Sequence, residues 1–280
     1  MRCASVVRAG WAVAGVFATT TPAYGQARVS ADVGLFSAYV WRGLSLTNRP
    51  VAQPDVYLTF PAGSAALTVG GWANVELGRY DDSANDLSES GGMSALDVAE
   101  VDVWTEVSAP VNKLTLTGGA LLYVFPNGAG FTSVSNTVEV YAKAALDAIL
   151  SPKLAVWYDV DKIGGAYLEA SIAQLLPLDG RHSLTLNALA GFDAGQSIPG
   201  NPGSTDLASF HDDGFTHLDL SAGMPLTTGG LALTPAVHLV ITGDRFTRTA
   251  SPGRTHDLKV WGGAALSWSK ALGRGSGTME

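Results

Sequence analysis

The chain has 280 residues, of which 46% are hydrophobic and only 15% are charged, whereas about 25% are charged in a typical soluble protein. Its 17 basic and 25 acidic residues give a formal net charge of −8, which argues against nucleic acid as a partner because nucleic acid selects basic surfaces. After residue 25 no apolar run is long enough for a transmembrane helix, so the hydrophobic residues indicate alternating strands.

The first 25 residues have the pattern of a secretory signal peptide. Arg2 and Arg8 make the start positive, Ala9–Ala18 is a short apolar run, and Ala23-Tyr24-Gly25 fits a cleavage site. Cleavage there would also remove Cys3, the single cysteine, and with it any disulfide or thiol chemistry. We predict a signal peptide over 1–25, one exported domain over 26–268 and a short C-terminal tail over 269–280.

Apolar and polar residues alternate with period two through the exported part, which places them on opposite faces of strands. The segment Val98–Ser108 is the clearest, because its even positions carry three carboxylates that no soluble core would accept. Twelve segments of this kind follow in chain order: Val29–Arg42, Asp55–Phe60, Leu67–Leu77, Val98–Ser108, Leu114–Val124, Val138–Ala144, Lys153–Asp161, Tyr167–Ile172, Ser183–Ala190, His217–Ala222, Leu231–Thr242 and Asp257–Trp268.

The connections alternate in length, with long ones after odd strands and short ones after even strands; Lys162–Gly165 is the exception. This alternation and the even strand number are typical of outer-membrane barrels with both termini on the periplasmic side. A soluble β-sandwich is the alternative, but its inner face should carry few charges. We therefore predict an all-β fold, a transmembrane antiparallel up-and-down β-barrel of about 12 strands.

The first strand carries a distinctive end. Its odd face closes with Tyr39 and Trp41, which we expect at the lipid headgroups. Arg42 would face the lumen at the outer end, and Gly43 would allow a sharp turn. Asp55 on the next strand is a candidate partner for Arg42, and a solvated charge at the barrel mouth is the equal alternative.

The run Ser37-Ala38-Tyr39-Val40-Trp41-Arg42-Gly43-Leu44-Ser45-Leu46-Thr47, followed by Pro50-Val51-Ala52-Gln53, resembles the opening motif of the TorF family of porins. This family is also known as the Gcw_chp group of outer-membrane conserved hypothetical proteins. The later run Gly70-Gly71-Trp72-Ala73-Asn74-Val75 is similar to its second-hairpin signature. Pro54 stands where the family usually has glycine, so strand two should be locally irregular. The resemblance implies an outer-membrane porin and brings no catalytic residues.

The polar faces would line the lumen with many more acids than bases, and rings of carboxylates favour cations in a pore. A generic polar lining is the alternative interpretation. The predicted lining residues are Arg42, Asp55, Glu76, Glu100, Asp102, Glu106, Glu139, Lys143, Asp159, Asp161, Glu169 and Asp219, with Asp32, Asp257, Lys153 and Lys259 on the same faces.

Inward aromatic residues could either form a stacking track for a solute or fill a narrow barrel: Tyr57, Trp72, Trp104, Tyr123, Tyr141, Trp157, Tyr167 and Trp261. His217, His238 and Asp219 have the chemistry of metal ligands, but their register is inferred, and we predict no metal and no cofactor. The lipid face offers no serine–histidine pair, so an outer-membrane hydrolase is disfavoured.

We predict that the protein is not an enzyme but a porin-like channel in the outer membrane of a Gram-negative bacterium, passing small hydrophilic solutes with a preference for cations. A non-conducting structural or adhesive barrel is the alternative. The expected partners are outer-membrane lipid, small hydrophilic or cationic solutes and the barrel assembly machinery, with no nucleic acid.

Overall fold

The computed structural model describes residues 26–82, 85–92, 94–127, 136–180, 182–196, 213–243 and 257–273. The predicted signal peptide, residues 1–25, lies outside them. The described residues form strands and no helix: β1 Arg28–Phe36, β2 Tyr39–Trp41, β3 Leu44–Thr47, β4 Val51–Ala62, β5 Ala65–Glu76, β6 Asp97–Val111, β7 Leu114–Val124, β8 Asn136–Leu146, β9 Lys153–Asp159, β10 Ala166–Pro177, β11 Ser183–Ala194, β12 Gly214–Gly223, β13 Leu226–Thr228, β14 Leu231–Thr242 and β15 Lys259–Ala271.

Twelve of these strands form a closed antiparallel barrel, as the sequence predicts. Sequential neighbours pair from β4 through β12, β12 pairs with β14, and β1 pairs with both β4 and β15. The short strand β13 pairs only with the start of β14, while β2 and β3 form a separate two-stranded sheet. Closure leaves the wall without a free edge, which satisfies its backbone hydrogen bonds. No helix among the described residues is long and apolar enough to cross a membrane.

The two faces of the wall follow the predicted alternation. Large aliphatic side chains point outward and stay exposed, for example Leu35 at 56%, Val103 at 54% and Leu154 at 65%. Their neighbours in sequence point inward and are largely buried. Exposed aromatic residues lie near both ends of the outer face: Tyr158, Phe192 and Phe215 at one end, Phe60 and Trp268 at the other. Such an outer surface suits hydrocarbon bounded by two interfaces rather than water.

The two ends of the barrel differ. We call the end where β1 begins, β15 ends and the short connections lie the turn end; Arg28 pairs with Ala271 there. The opposite end, with the longer connections, is the loop end. The last strand continues to Ala271, so the wall includes the first three residues of the predicted tail. Pairing between β4 and β5 is interrupted at Gln53 and Pro54, the irregularity expected from a proline that has no N–H.

The first strand is shorter than predicted. It ends at Phe36, and residues 39–47 fold back into the barrel as a hairpin formed by β2 and β3, here called the inserted hairpin. Tyr39 is only 2% exposed and sits in the interior, not among lipid headgroups, so its predicted place is wrong. Trp41 is also inside, against Tyr123. Alternation alone could not separate a wall strand from an inserted one, because the period is the same.

Candidate functional site in the barrel interior

Eleven of the twelve predicted lining residues lie in the barrel interior, ten on the wall strands and Arg42 on the inserted hairpin. The prediction for Asp161 is wrong. It lies beyond the end of β9, is exposed, and pairs with Lys162 at 3.0 Å. The strand ends two residues earlier than its apolar pattern suggested, at Asp159. Asp257 likewise precedes β15 and is exposed.

The inserted hairpin turns at Arg42 and Gly43, which have φ angles of 48° and 86°. Two positive φ values are typical of a type I′ turn, which closes two-residue hairpins and matches the twist of their strands. Glycine adopts such a φ without strain, whereas arginine does so at a cost of about 1 kcal/mol. A Cβ on Gly43 would stand 2.5 Å from Cβ of His217, so the tip packs directly against β12.

Arg42 delivers its guanidinium to the far wall. Its two terminal nitrogens donate to the two carboxylate oxygens of Glu139 on β8, at 2.8 and 2.7 Å. The pair is enclosed, with side-chain exposures of 9% and 2%. Asp55, the predicted partner, is therefore the wrong carboxylate, because the chain turns inward before Arg42 and does not continue beside β4.

Aromatic rings surround the same guanidinium. Its carbon lies 4.2 Å from the ring centre of Tyr167 on β10 and 5.6 Å from that of Trp157 on β9. Trp41 of the hairpin contributes a third ring at 4.5 Å. Tyr123 completes the polar side by donating to Glu139 at 2.9 Å. We call the wall residues Glu139, Trp157 and Tyr167 the guanidinium cage.

Three further contacts hold the hairpin in place. Tyr39 donates its hydroxyl to Glu100 at 3.1 Å, Lys259 donates to the Ser45 hydroxyl at 2.6 Å, and Thr242 donates to the Gly43 carbonyl at 3.2 Å. The apolar hairpin residues pack with Phe36, Trp72 and Trp261 in one buried cluster. The hairpin therefore fills the loop-end half of the interior.

A second segment, from the β5–β6 connection, also enters the interior. Glu89 is buried, accepts from Asn74 at 3.0 Å, and its N–H donates to Glu76 at 2.7 Å. Glu76 also accepts from the hydroxyls of Ser88 and Ser90. Burial, and then the nearby charge of Glu100, raise the pKa of Glu89 well above its usual value.

This connection is tied to the hairpin's return segment by Arg49, which donates to both oxygens of Asp86 at 2.8 and 2.9 Å; Arg49 is half-exposed, whereas the Asp86 side chain is largely covered. Tyr80 belongs to the same connection, and its pKa is raised, first by burial and then by the charge of Glu76. The two inward-folding segments thus contact each other as well as the wall.

Asp159 serves a third connection. One of its oxygens accepts the N–H groups of Asp161, Lys162, Ile163 and Gly164, at 3.0, 2.9, 2.9 and 3.3 Å. This fixes the short turn 160–165 and sets Ile163 into the hairpin's apolar cluster. At the loop end, then, Glu76, Glu139 and Asp159 each hold a folded segment, so counting carboxylates overstates the charge offered to a solute.

The turn-end half of the interior is lined mainly by polar side chains. Glu106 accepts from Tyr141 at 3.1 Å and from Lys143 at 3.4 Å. Nearer the loop end, Asp219 pairs with His238 at 3.0 Å, beside Trp261 of the hairpin's cluster. We call the turn-end half the polar vestibule; its other inward residues include Asp32, Thr59, Ser108, Lys153, Glu169, Ser171, Asn187 and Ser221.

The two histidines that are candidate metal ligands do not come together, although His238 pairs with Asp219. His217 pairs with Thr242 across the β12–β14 ladder, and His238 pairs with Ser221. The two histidines are therefore four residues apart along the ladder, roughly 13 Å. Each stacks on a different aromatic ring, His217 on Tyr167 and His238 on Trp261. Among the described residues no three His, Cys, Asp or Glu side chains are arranged to hold a metal ion.

Comparison with known families bears on this barrel directly. A family model described as a bacterial protein of unknown function (Gcw_chp) matches residues 20–212, more than half of the chain. The chain belongs to the Gcw_chp family. A search of curated proteins gave no match.

Solved structures with the same architecture include the COG4313 outer membrane channel from Pseudomonas putida, with 11% identity over 88% of this chain and 96% of that one, and a TM-score of 0.53. The NanC porin has 9% identity over 86% and 98% of the two chains and a TM-score of 0.44. The Pseudomonas putida toluene transporter TodX has 9% identity over 89% and 90% and a TM-score of 0.42. Only the first is similar enough to support the fold of this Gcw_chp barrel, and at that identity it supports nothing further.

Sequence reasoning missed two features of this Gcw_chp interior. The first is Glu89, whose connection has no periodic pattern to reveal that it folds inward. The second is a set of glycine notches under the aromatic rings: a Cβ on Gly70 or Gly119 would overlap the ring of Trp104 or Tyr141. A signal was available there, because glycine inside a strand often marks a close approach. These rings lie flat on the wall instead of crossing the lumen.

Proposed function

We propose that this chain is an outer-membrane channel for the passive passage of small hydrophilic solutes, with a preference for cations, and that the inserted hairpin is its gate. The observation that carries the proposal is the division of the interior: the turn-end half is the polar vestibule, and the loop-end half is filled by a segment that side-chain hydrogen bonds join to the wall strands. The resemblance to TorF-family porins agrees with it.

The membrane assignment rests on the outer face. Its aliphatic side chains would form a large exposed apolar surface in water, and such surfaces mark sites of association or membrane contact. The proposed partners are outer-membrane lipid around this face and the barrel assembly machinery that would insert it. Export would depend on the predicted signal peptide.

The cation preference is supported by the balance of acidic and basic residues on the inward faces. Arg42 and Lys143 neutralise Glu139 and Glu106 in close pairs. Acids outnumber bases on the inward faces as a whole, for example Glu76, Glu100 and Asp102 on β5 and β6. A passage lined in this way raises the local concentration of cations and lowers that of anions.

Planar-bilayer recording tests both the channel activity and the cation preference. The purified protein should give discrete conductance with a cation-selective reversal potential in a KCl gradient. The combined change Glu100→Gln, Asp102→Asn, Glu106→Gln should move the reversal potential toward zero, whereas Asp161→Asn, which alters an exposed acid, should not. An unchanged reversal potential in the triple variant would remove the cation claim.

A non-conducting structural barrel is the second candidate, favoured by the near-complete burial of the hairpin, where Ser45 and Thr47 are both 0% exposed. The two candidates separate when the hairpin is released. A barrel that stays silent both in the native form and with Arg42→Ala is structural, whereas conductance that appears or rises in the variant identifies a gated channel.

A further inference from the structure

The inserted hairpin covers a binding site that belongs to the wall. Glu139, Trp157 and Tyr167 come from three consecutive strands and together present a carboxylate fork beside two aromatic faces. Both oxygens of Glu139 take one nitrogen each from Arg42, which requires two parallel N–H groups on a planar cation. Arg42 is therefore a ligand supplied by the chain itself.

The cage residues on the wall are held in position by contacts that do not involve the hairpin. Trp157 and Tyr167 pack on each other with ring centres 5.8 Å apart. Tyr167 also donates to Glu169 at 3.3 Å and lies over Gly191, where a Cβ would stand 2.5 Å from the tyrosine oxygen. Tyr123 orients Glu139 from β7. When the hairpin leaves, these residues keep their mutual arrangement, so the cage is already formed for another ligand.

Release of the hairpin also favours the binding of a cation beside Glu139. It leaves Glu139 inside the barrel without the charge that neutralises it, and an enclosed carboxylate without a counter-charge is unfavourable. A solute cation that fills the cage removes that penalty. Such a solute binds only the released state, because Arg42 occupies the cage otherwise, and a ligand that binds one state shifts the population toward it.

We propose that the guanidinium cage is a receptor site for small solutes that carry a guanidinium group, and that such solutes open the gate by displacing Arg42. The fork of Glu139 distinguishes guanidinium from ammonium, because ammonium is a compact point charge that cannot match both oxygens with one planar face. The aromatic faces of Trp157 and Tyr167 add attraction for a planar cation. This inference rests on the proposed function only for its gating half; the binding half stands on the cage alone.

The test uses two probes of equal charge, methylguanidinium and methylammonium, at the same ionic strength. Binding to the full barrel in detergent is followed by the fluorescence of Trp157 and its neighbours, and gating is followed by open probability in planar bilayers. Arg42→Ala should bind methylguanidinium at least about tenfold more tightly than the native protein, because the internal competitor is gone. Arg42→Ala combined with Glu139→Gln should bind it about tenfold more weakly than Arg42→Ala alone, the loss expected for one charge-assisted contact.

In the native channel methylguanidinium should raise the open probability to a plateau, and methylammonium should not. This arm needs no variant, so it holds even if a substitution prevents folding. If the two probes bind equally well, or if Glu139→Gln does not change the affinity for methylguanidinium, the receptor-site proposal is wrong, while the channel proposal is unaffected. Silent bilayers with Glu139-dependent binding in detergent leave the site standing and overturn the channel. Loss of both overturns both.

Discussion

The substitution Arg42→Ala addresses the hairpin directly, because this side chain makes the bidentate contact with Glu139 and fills the cage. Removing one partner of a buried ion pair is destabilising by about 3–5 kcal/mol, since the other charge stays enclosed without compensation. Here the hairpin can release and admit water to Glu139, so the lower part of that range is appropriate. A change of about 3 kcal/mol alters the ratio of inserted to released hairpin by a factor on the order of 10².

Hydrogen exchange measures that ratio at the hairpin itself. The N–H of Tyr39 donates to the Thr47 hydroxyl at 3.1 Å inside the barrel, and it should exchange much faster once the hairpin is released. Protection of the wall strand β8 should stay as in the native protein, and the open probability in bilayers should rise in parallel. Arg42→Lys should fall between the native protein and Arg42→Ala, because lysine keeps the charge but not the fork.

Arg49→Ala is the matched control. It removes the same side chain from the same β1–β4 connection, but Arg49 is 45% exposed, against 9% for Arg42, and Asp86 still accepts the N–H of Asp82, so its effect on hairpin protection should be smaller. If Arg42→Ala leaves the protection of Tyr39 unchanged, or if Arg49→Ala releases the hairpin equally, the ion pair with Glu139 does not hold the hairpin and the reasoning is refuted.

Three further outcomes are expected. Gly43→Ala should release the hairpin without touching a charge, because the new Cβ would overlap Cβ of His217 and the φ of 86° disfavours alanine; native-like exchange at Tyr39 would contradict it. The segment around Glu89, which faces Glu76 and Glu100, should insert less favourably as pH rises from about 4.3. The raised pKa of Glu89 means that the inserted form binds the proton more tightly than the released form. The proton therefore stabilises insertion fully below the ordinary pKa of glutamate, and this stabilisation is lost above the raised pKa. Hydrogen exchange of residues 85–92 should therefore speed up with pH by more than the intrinsic exchange rate does, and Glu89→Gln should remove this extra pH dependence. Exchange that slows at high pH relative to the intrinsic rate would contradict the prediction. Asp159→Asn should loosen the turn 160–165, because a neutral amide oxygen accepts its four N–H groups more weakly; an unchanged exchange rate at Ile163 would count against it.

The fold was predictable because one rule governs the wall. Period-two alternation places Val101, Val103 and Val107 outside and Glu100, Asp102 and Glu106 inside, and closure of twelve such strands follows from the need to pair every edge. Period-two alternation, however, predicts only the two faces of a strand. It assigns a residue to a face and contains no information on whether a chain segment continues along the wall or turns into the lumen.

That limit explains the errors at the site. Residues 37–42 are predicted as the continuation of β1 because alternation persists through Tyr39 and Trp41, while the decisive element is the two-residue turn at Arg42 and Gly43. A glycine after an arginine is a weak turn signal compared with Asn-Gly, so the sequence offered little warning. The partner of Arg42 depended on which wall the hairpin reaches, and that follows from three-dimensional packing alone.

The position of the hairpin in the chain has a consequence for how the molecule folds. Its tip is translated early, yet the strands it packs against, β8–β10 and β12, follow much later, and the wall closes only when β1 meets β15, with Arg28 and Ser269 in contact across 241 residues of sequence. Such distant contacts form late and slowly. Until then the apolar side chains of the hairpin stay exposed to solvent. The segment that fills the interior of the finished barrel is therefore prone to aggregation during synthesis and needs protection at that stage.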